Sequence, residues 1–127
     1  MSAAIEGVLP EQLPVFAVWI PMLPGDSHGA AEASSSILAG HVTAQFYDAH
    51  RRVGRAVASS LGACGQIAWD MYLTYARNAS WPGDVPPRPP AYAHQLPGSW
   101  ADSARCFVAA ALLPELRVMV SAVVSGR

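Results

Sequence analysis

The sequence predicts an α/β sandwich, a central and mainly parallel sheet flanked by helices, and three observations carry that expectation. The run Val15 to Ile20 is apolar without alternation and stops at Pro21, the pattern of a strand covered on both faces in a parallel sheet. Strand-like and helix-like segments then alternate as far as residue 76, which is the order that layers helices on a sheet. The chain has 127 residues, the length of one ordinary domain with a real core.

Each element has a local reason. Residues 15–20 form the first, central strand. Asp26 or Ser27 caps the helix that follows, "HGAAEASSSILAG", and Gly40 takes the left-handed conformation that stops it. In "HVTAQFYD", Val42, Ala44 and Phe46 fall on one face and Thr43, Gln45 and Tyr47 on the other, so this is a second strand. Asp48 caps "AHRRVGRAVASSLG", where Val53, Ala56, Val57 and Leu61 recur at helical spacing and Gly62 ends the helix. Residues 67–76, "IAWDMYLTYA", are aromatic-rich and read as a third strand. Next come 24 residues, 77–100, with six prolines, too many for helix or central strand. Only "AYAHQL" within that stretch suits a short edge strand. A final helix is expected from Asp102 or Ser103 through Leu113, and Pro114 suits the first turn of a further helical piece with Leu116, Val120 and Val124.

Composition excludes some function classes. Charged residues are 13% and the net charge is −1, which speaks against a nucleic-acid surface and against partners drawn by bulk charge. All eight basic residues are Arg. The apolar tail, Phe107 to Val124, is broken by Pro114, Glu115, Arg117 and Ser121, short of the roughly 20 apolar residues of a membrane span. No signal-peptide pattern opens the chain, so a cytoplasmic, membrane-free protein is expected. Cys64 and Cys106 lie 42 positions apart in no short-spaced motif, and two free thiols are expected, Cys106 buried in a helix.

Several segments in order, "VFAVWIPMLPGDS", "AQFYDAHRRVGRAVA", "AWDMYLTYARNASW" and "PPAYAHQL", resemble bacterial thioredoxin-like proteins of the TlpA and peroxiredoxin-like branch. The resemblance covers about residues 5–113 and leaves 114–127 as an apolar extension of one domain. It implies a thioredoxin-like sandwich and a thiol-disulfide redox family. Enzymes of that superfamily attack with a CxxC thiol, or a selenocysteine variant, at the first helix N-terminus, where the dipole lowers the thiol pKa. No residue here matches that motif, and Ile67 and Ala68 stand where the superfamily's cis-proline is expected. The reading is a thioredoxin-fold protein, lacking the N-terminal strand and redox cysteines, and inactive alone. The alternatives are a non-catalytic binding or assembly module that retains the fold, and a small enzyme using Asp70 and His94 without thiols.

Trp81, Tyr92 and His94, grouped by the proline-rich stretch, are candidates for a groove at one sheet edge, and Asp70 for a paired acidic group beside a strand. Trp19 and Trp69 read as core. His28, His41, His50 and His94 show no ligand spacing, so neither a metal nor another cofactor is expected; Arg51, Arg52 and Arg55 read as a solvated face. Without a strand beside it, Val15 to Ile20 would leave unpaired backbone groups and an apolar face. A homo-oligomer that buries this strand with the apolar tail, Ala109 to Val124, is therefore expected.

Overall fold

The computed structural model describes residues 13–40 and 42–126. Its elements run β1 (Phe16–Trp19), α1 (His28–Ser34), β2 (Ala44–Tyr47), α2 (Arg52–Ser60), β3 (Met71–Thr74), β4 (Ala91–His94) and α3 (Leu112–Val124). The chain is mixed α/β, but among the described residues no single central sheet forms. β1 and β2 make one parallel pair and β3 and β4 a separate antiparallel pair.

The first unit is β1–α1–β2. Ser27 caps α1 by accepting a hydrogen bond from the Ala30 amide at 3.0 Å, and the Asp26 carboxylate accepts from the Met22 and Leu23 amides at 2.9 and 2.7 Å, closing the turn ahead of it. After α1, Ser35–Ile37 tightens into a 3-10 turn and Gly40 adopts φ +83°. The chain then returns parallel, with Phe16 opposite Ala44 and Val18 opposite Phe46. On the α1 side of this sheet, Trp19 Nε1 donates to Gln45 Oε1 at 2.8 Å, and Gln45 Nε2 donates to the Ser35 carbonyl at 3.0 Å.

Asp48 sets the start of α2. Arg51 sits in the left-handed region (φ 58°), and the Asp48 carboxylate reaches past it to accept from the Arg52, Val53 and Gly54 amides. Three of the four amides a helix start leaves unpaired are thus satisfied by one side chain. Gly62 at φ +83° follows the other end.

β3 and β4 are sandwiched between helices, which follows from side-chain alternation across a strand. Met71 and Leu73 meet Val57, Ala58 and Ala68 on the α2 side. Tyr72, Ala91 and Ala93 meet Leu112, Leu116 and Met119 of α3 on the other. Full burial of a Leu or Met contributes about 1.5–3 kcal/mol, so these three α3 residues hold the apolar tail on β3–β4 within the same chain. Arg105 pins the approach to α3. Its Nε donates to the Tyr92 carbonyl at 2.7 Å, it pairs with Glu115, and its guanidinium lies 4.9 Å from the Phe107 ring centre.

Four expectations are corrected. The strand expected over 67–76 is confined to Met71–Thr74 and pairs with β4 rather than joining β1 and β2. Gln95 donates twice to Asp70, once to each of its backbone and side-chain oxygens, and Asp70 at φ 50° ends the extended run on that side. The helix expected from 102 or 103 is instead a 3-10 turn, Ser103–Arg105, capped by Asp102, then an extended stretch in which Cys106 bridges His94; α3 starts only at Leu112. Cys106 is accordingly half-buried in extended chain, and Cys64 is exposed; both are free thiols. Finally, β1 is not covered on both faces, because Phe16 and Val18 are 60% and 40% exposed.

Candidate functional site

One face of the β1–β2 sheet carries Phe16, Val18 and Phe46. Val18 stands directly opposite Phe46, and Phe16 lies two residues earlier on β1, so alternation puts all three on the same side. All three are exposed, Phe46 by 56%. The three residues line a groove of about 1020 Å³ together with Leu73, Val57, Met119 and Val120. Trp81, 46% exposed, also lines it. The lining is predominantly apolar. Tyr72 and Tyr75 also border it. Burial pushes the Tyr72 phenol up, and the Asp70 carboxylate adds to the rise while a hydrogen bond from Gln95 opposes it; burial alone raises Tyr75. Both phenols are therefore neutral near pH 7.

Of the residues singled out from sequence, Trp81 lies on this groove, whereas Tyr92, His94 and Asp70 lie outside its lining. His94 is 1% exposed. Its Nδ1 accepts from the Leu96 amide at 3.2 Å, which leaves the Nε2 proton to donate to the Asp102 carbonyl at 2.8 Å. Both ring nitrogens are thus committed to the backbone. Asp70 is committed to Gln95, and the Tyr92 backbone oxygen to Arg105. Trp19 and Trp69 are half-buried rather than core, and Trp100 donates to the Ile67 carbonyl at 3.1 Å.

Arg51 and Arg55 donate to backbone carbonyls, of Pro21 just after β1 and of nearby His50 respectively, and Asp48 already occupies the α2 N-terminus. Among the described residues no group of three His, Cys, Asp or Glu side chains converges as a metal site; His41 lies outside the described residues. No described helix is long and apolar enough to cross a membrane. Sequence reasoning expected an uncovered apolar face on Val15 to Ile20 without singling out Phe16 and Val18 as its members, and it missed Phe46. The unbroken apolar run of β1 lacks the alternation that would have marked one face as open.

No match decides the family. Neither the family models, the curated proteins nor the solved structures contain a match to this chain.

Proposed function

We propose that this chain is a non-catalytic assembly module, a homodimer that buries the Phe16, Val18 and Phe46 face of β1–β2 against its copy. The observation that carries the reading is that a two-stranded parallel sheet presents this apolar face to solvent. Parallel pairs are ordinarily covered on both sides, and a two-stranded sheet needs packing to persist. A second copy is the favoured cover because the contact is self-complementary: across a two-fold axis, Phe16 and Val18 of one protomer meet the same strand of the other. The net charge of −1 sets almost no repulsion against that approach. The tail is already engaged on β3–β4 in the same chain, so the interface is built from the sheet face and groove rim.

The thioredoxin-like redox reading has less behind it: the two strand pairs form separate sheets rather than one central sheet, and an exposed Cys64 and a half-buried Cys106, both free, supply no paired redox centre. Sedimentation velocity across micromolar to submillimolar concentration tests the assembly. A dimer is expected, and Phe46→Asp should convert it to a folded monomer. A wild-type chain that sediments as a monomer at every concentration overturns the proposal.

A further inference from the structure

Residues 85–90 read "VPPRPP". Proline fixes its own φ near −65°, and its ring pushes the preceding residue out of the helical region. Pro86, Pro87, Pro89 and Pro90 are fixed in the first way; Val85, Pro86, Arg88 and Pro89 are restricted in the second. The stretch from Pro86 to Pro89 is thereby biased toward polyproline II, a left-handed rod with three residues per turn and no internal hydrogen bonds.

Burial along the stretch has that same period. Pro86 and Pro89, one turn apart, are buried; Val85, Pro87, Arg88 and Pro90 are exposed. Residues 86–89 belong to no helix, strand, turn or bend, and the chain bends at Val85 and at Pro90, the two ends of the stretch. One edge of a three-edged rod thus rests on the domain, and two edges face outward. Pro87 and Pro90 form one of these, and Val85 and Arg88 the other. Among the described residues the one ion pair is Arg105 with Glu115, so the Arg88 guanidinium is left for solvent or for a partner.

We propose that residues 85–90 are a docking strap for a second protein that carries a polyproline-recognition groove, lined by aromatic rings and acidic at one side. Such grooves hold prolines one turn apart, about 9 Å along a polyproline II rod, between aromatic walls. Pro87 and Pro90 supply that pair. Arg88, on the neighbouring outward edge, supplies a charge that meets an acidic wall in planar, bidentate fashion. Anchoring through Pro86 and Pro89 holds the strap in its bound conformation beforehand, which reduces the ordering cost of association. The strap lies in the stretch joining β3 to β4, and connections of that length without regular structure are commonly functional.

The full chain, unlabelled, is titrated into a set of purified ¹⁵N-labelled SH3 and WW domains chosen for aromatic grooves with acidic side walls. The expected result is chemical-shift change confined to the groove of at least one domain. Arg88→Ala and Pro90→Ala should each weaken that binding about tenfold or more, with the circular-dichroism spectrum of each variant unchanged. Pro87 also borders the apolar groove, so Arg88 and Pro90 are the informative positions. Phe46→Asp should leave the binding intact, which separates this proposal from the assembly reading. Absence of groove shifts throughout the set at about 1 mM chain overturns it, as do shifts that survive both substitutions.

Discussion

Gly54→Ala sets two known effects against each other at one position. Gly54 is buried in α2, where its carbonyl accepts from the Ala68 amide at 2.9 Å and its amide donates to Asp48. On helix propensity alone, Ala should stabilise by up to about 1 kcal/mol. A β-carbon here would lie 2.6 Å from Ile20 Cδ1, 2.8 Å from Ile67 Cγ2 and 2.9 Å from the Ala68 carbonyl oxygen. The two side-chain ends can swing aside. The Ala68 oxygen cannot retreat easily, because its own residue is hydrogen-bonded back to Gly54. Overpacking of this kind costs about 1–3 kcal/mol, and the backbone contact places it in the upper half of that range. The net expectation is a loss of about 1–2 kcal/mol, or roughly 4–8 °C in Tm for a domain of this size. Thermal unfolding followed by circular dichroism, at one fixed protein concentration, reads it. Gly29→Ala in α1 is the paired control, since a β-carbon there meets only Ser27 Oγ at 3.9 Å and should leave stability unchanged or raise it slightly. If Gly54→Ala stabilises as Gly29→Ala does, α2 is not pressed against Ile20 and Ala68, and the packing argument fails.

Three further outcomes are expected. His94→Leu strips the Leu96 amide and the Asp102 carbonyl of their partner, at about 1–3 kcal/mol for each group left buried; urea unfolding should show a loss of about 2–4 kcal/mol, and a change under about 0.5 kcal/mol would contradict the structural role assigned to the ring. The Leu23 and Met22 amides hold the Asp26 carboxyl below its ordinary value of 3.8. A carboxyl depressed in the folded state stabilises above that value, and the contribution is lost as pH falls through the folded pKa. Asp26→Asn should therefore remove part of the acid sensitivity below pH 3.8 and none of it near neutrality, as read from unfolding midpoints over that range. With Cys64 exposed and Cys106 half-buried, a thiol reagent should label Cys64 first and Cys106 more slowly, and the chain should not accelerate insulin disulfide reduction; turnover at a thioredoxin-like rate would restore the redox reading.

Local chemistry was legible in the amino-acid order. Ser27 caps α1, Asp48 starts α2 and Gly62 follows the α2 end, each through contacts reaching no more than a few residues along the chain, whereas α1 stops at Ser34, well short of the expected Gly40, by tightening into a 3-10 turn. "AYAHQL" is the partner strand that its place in a proline-rich stretch suggested. The boundary of the last helix was not legible. Asp102 does cap, but only a 3-10 turn, because Cys106 bridges β4 and Arg105 reaches back to Tyr92 and forward to Glu115. Of the groove, Trp81 and the apolar face of the Val15 to Ile20 strand were anticipated, and Phe46 was not. An apolar residue such as Phe46 carries the same local signal whether its face is covered or open, since the hydrophobic effect has no direction along the chain. The sequence by itself therefore determined where α1 and α2 begin, where α2 ends and which segments extend. Tertiary structure alone decided that β3 pairs with β4 rather than with the first sheet, that the apolar tail lies on that hairpin, and that Phe16, Val18 and Phe46 are left facing a groove. Those outcomes depend on contacts between residues far apart in the chain, whose relative energies no short stretch contains.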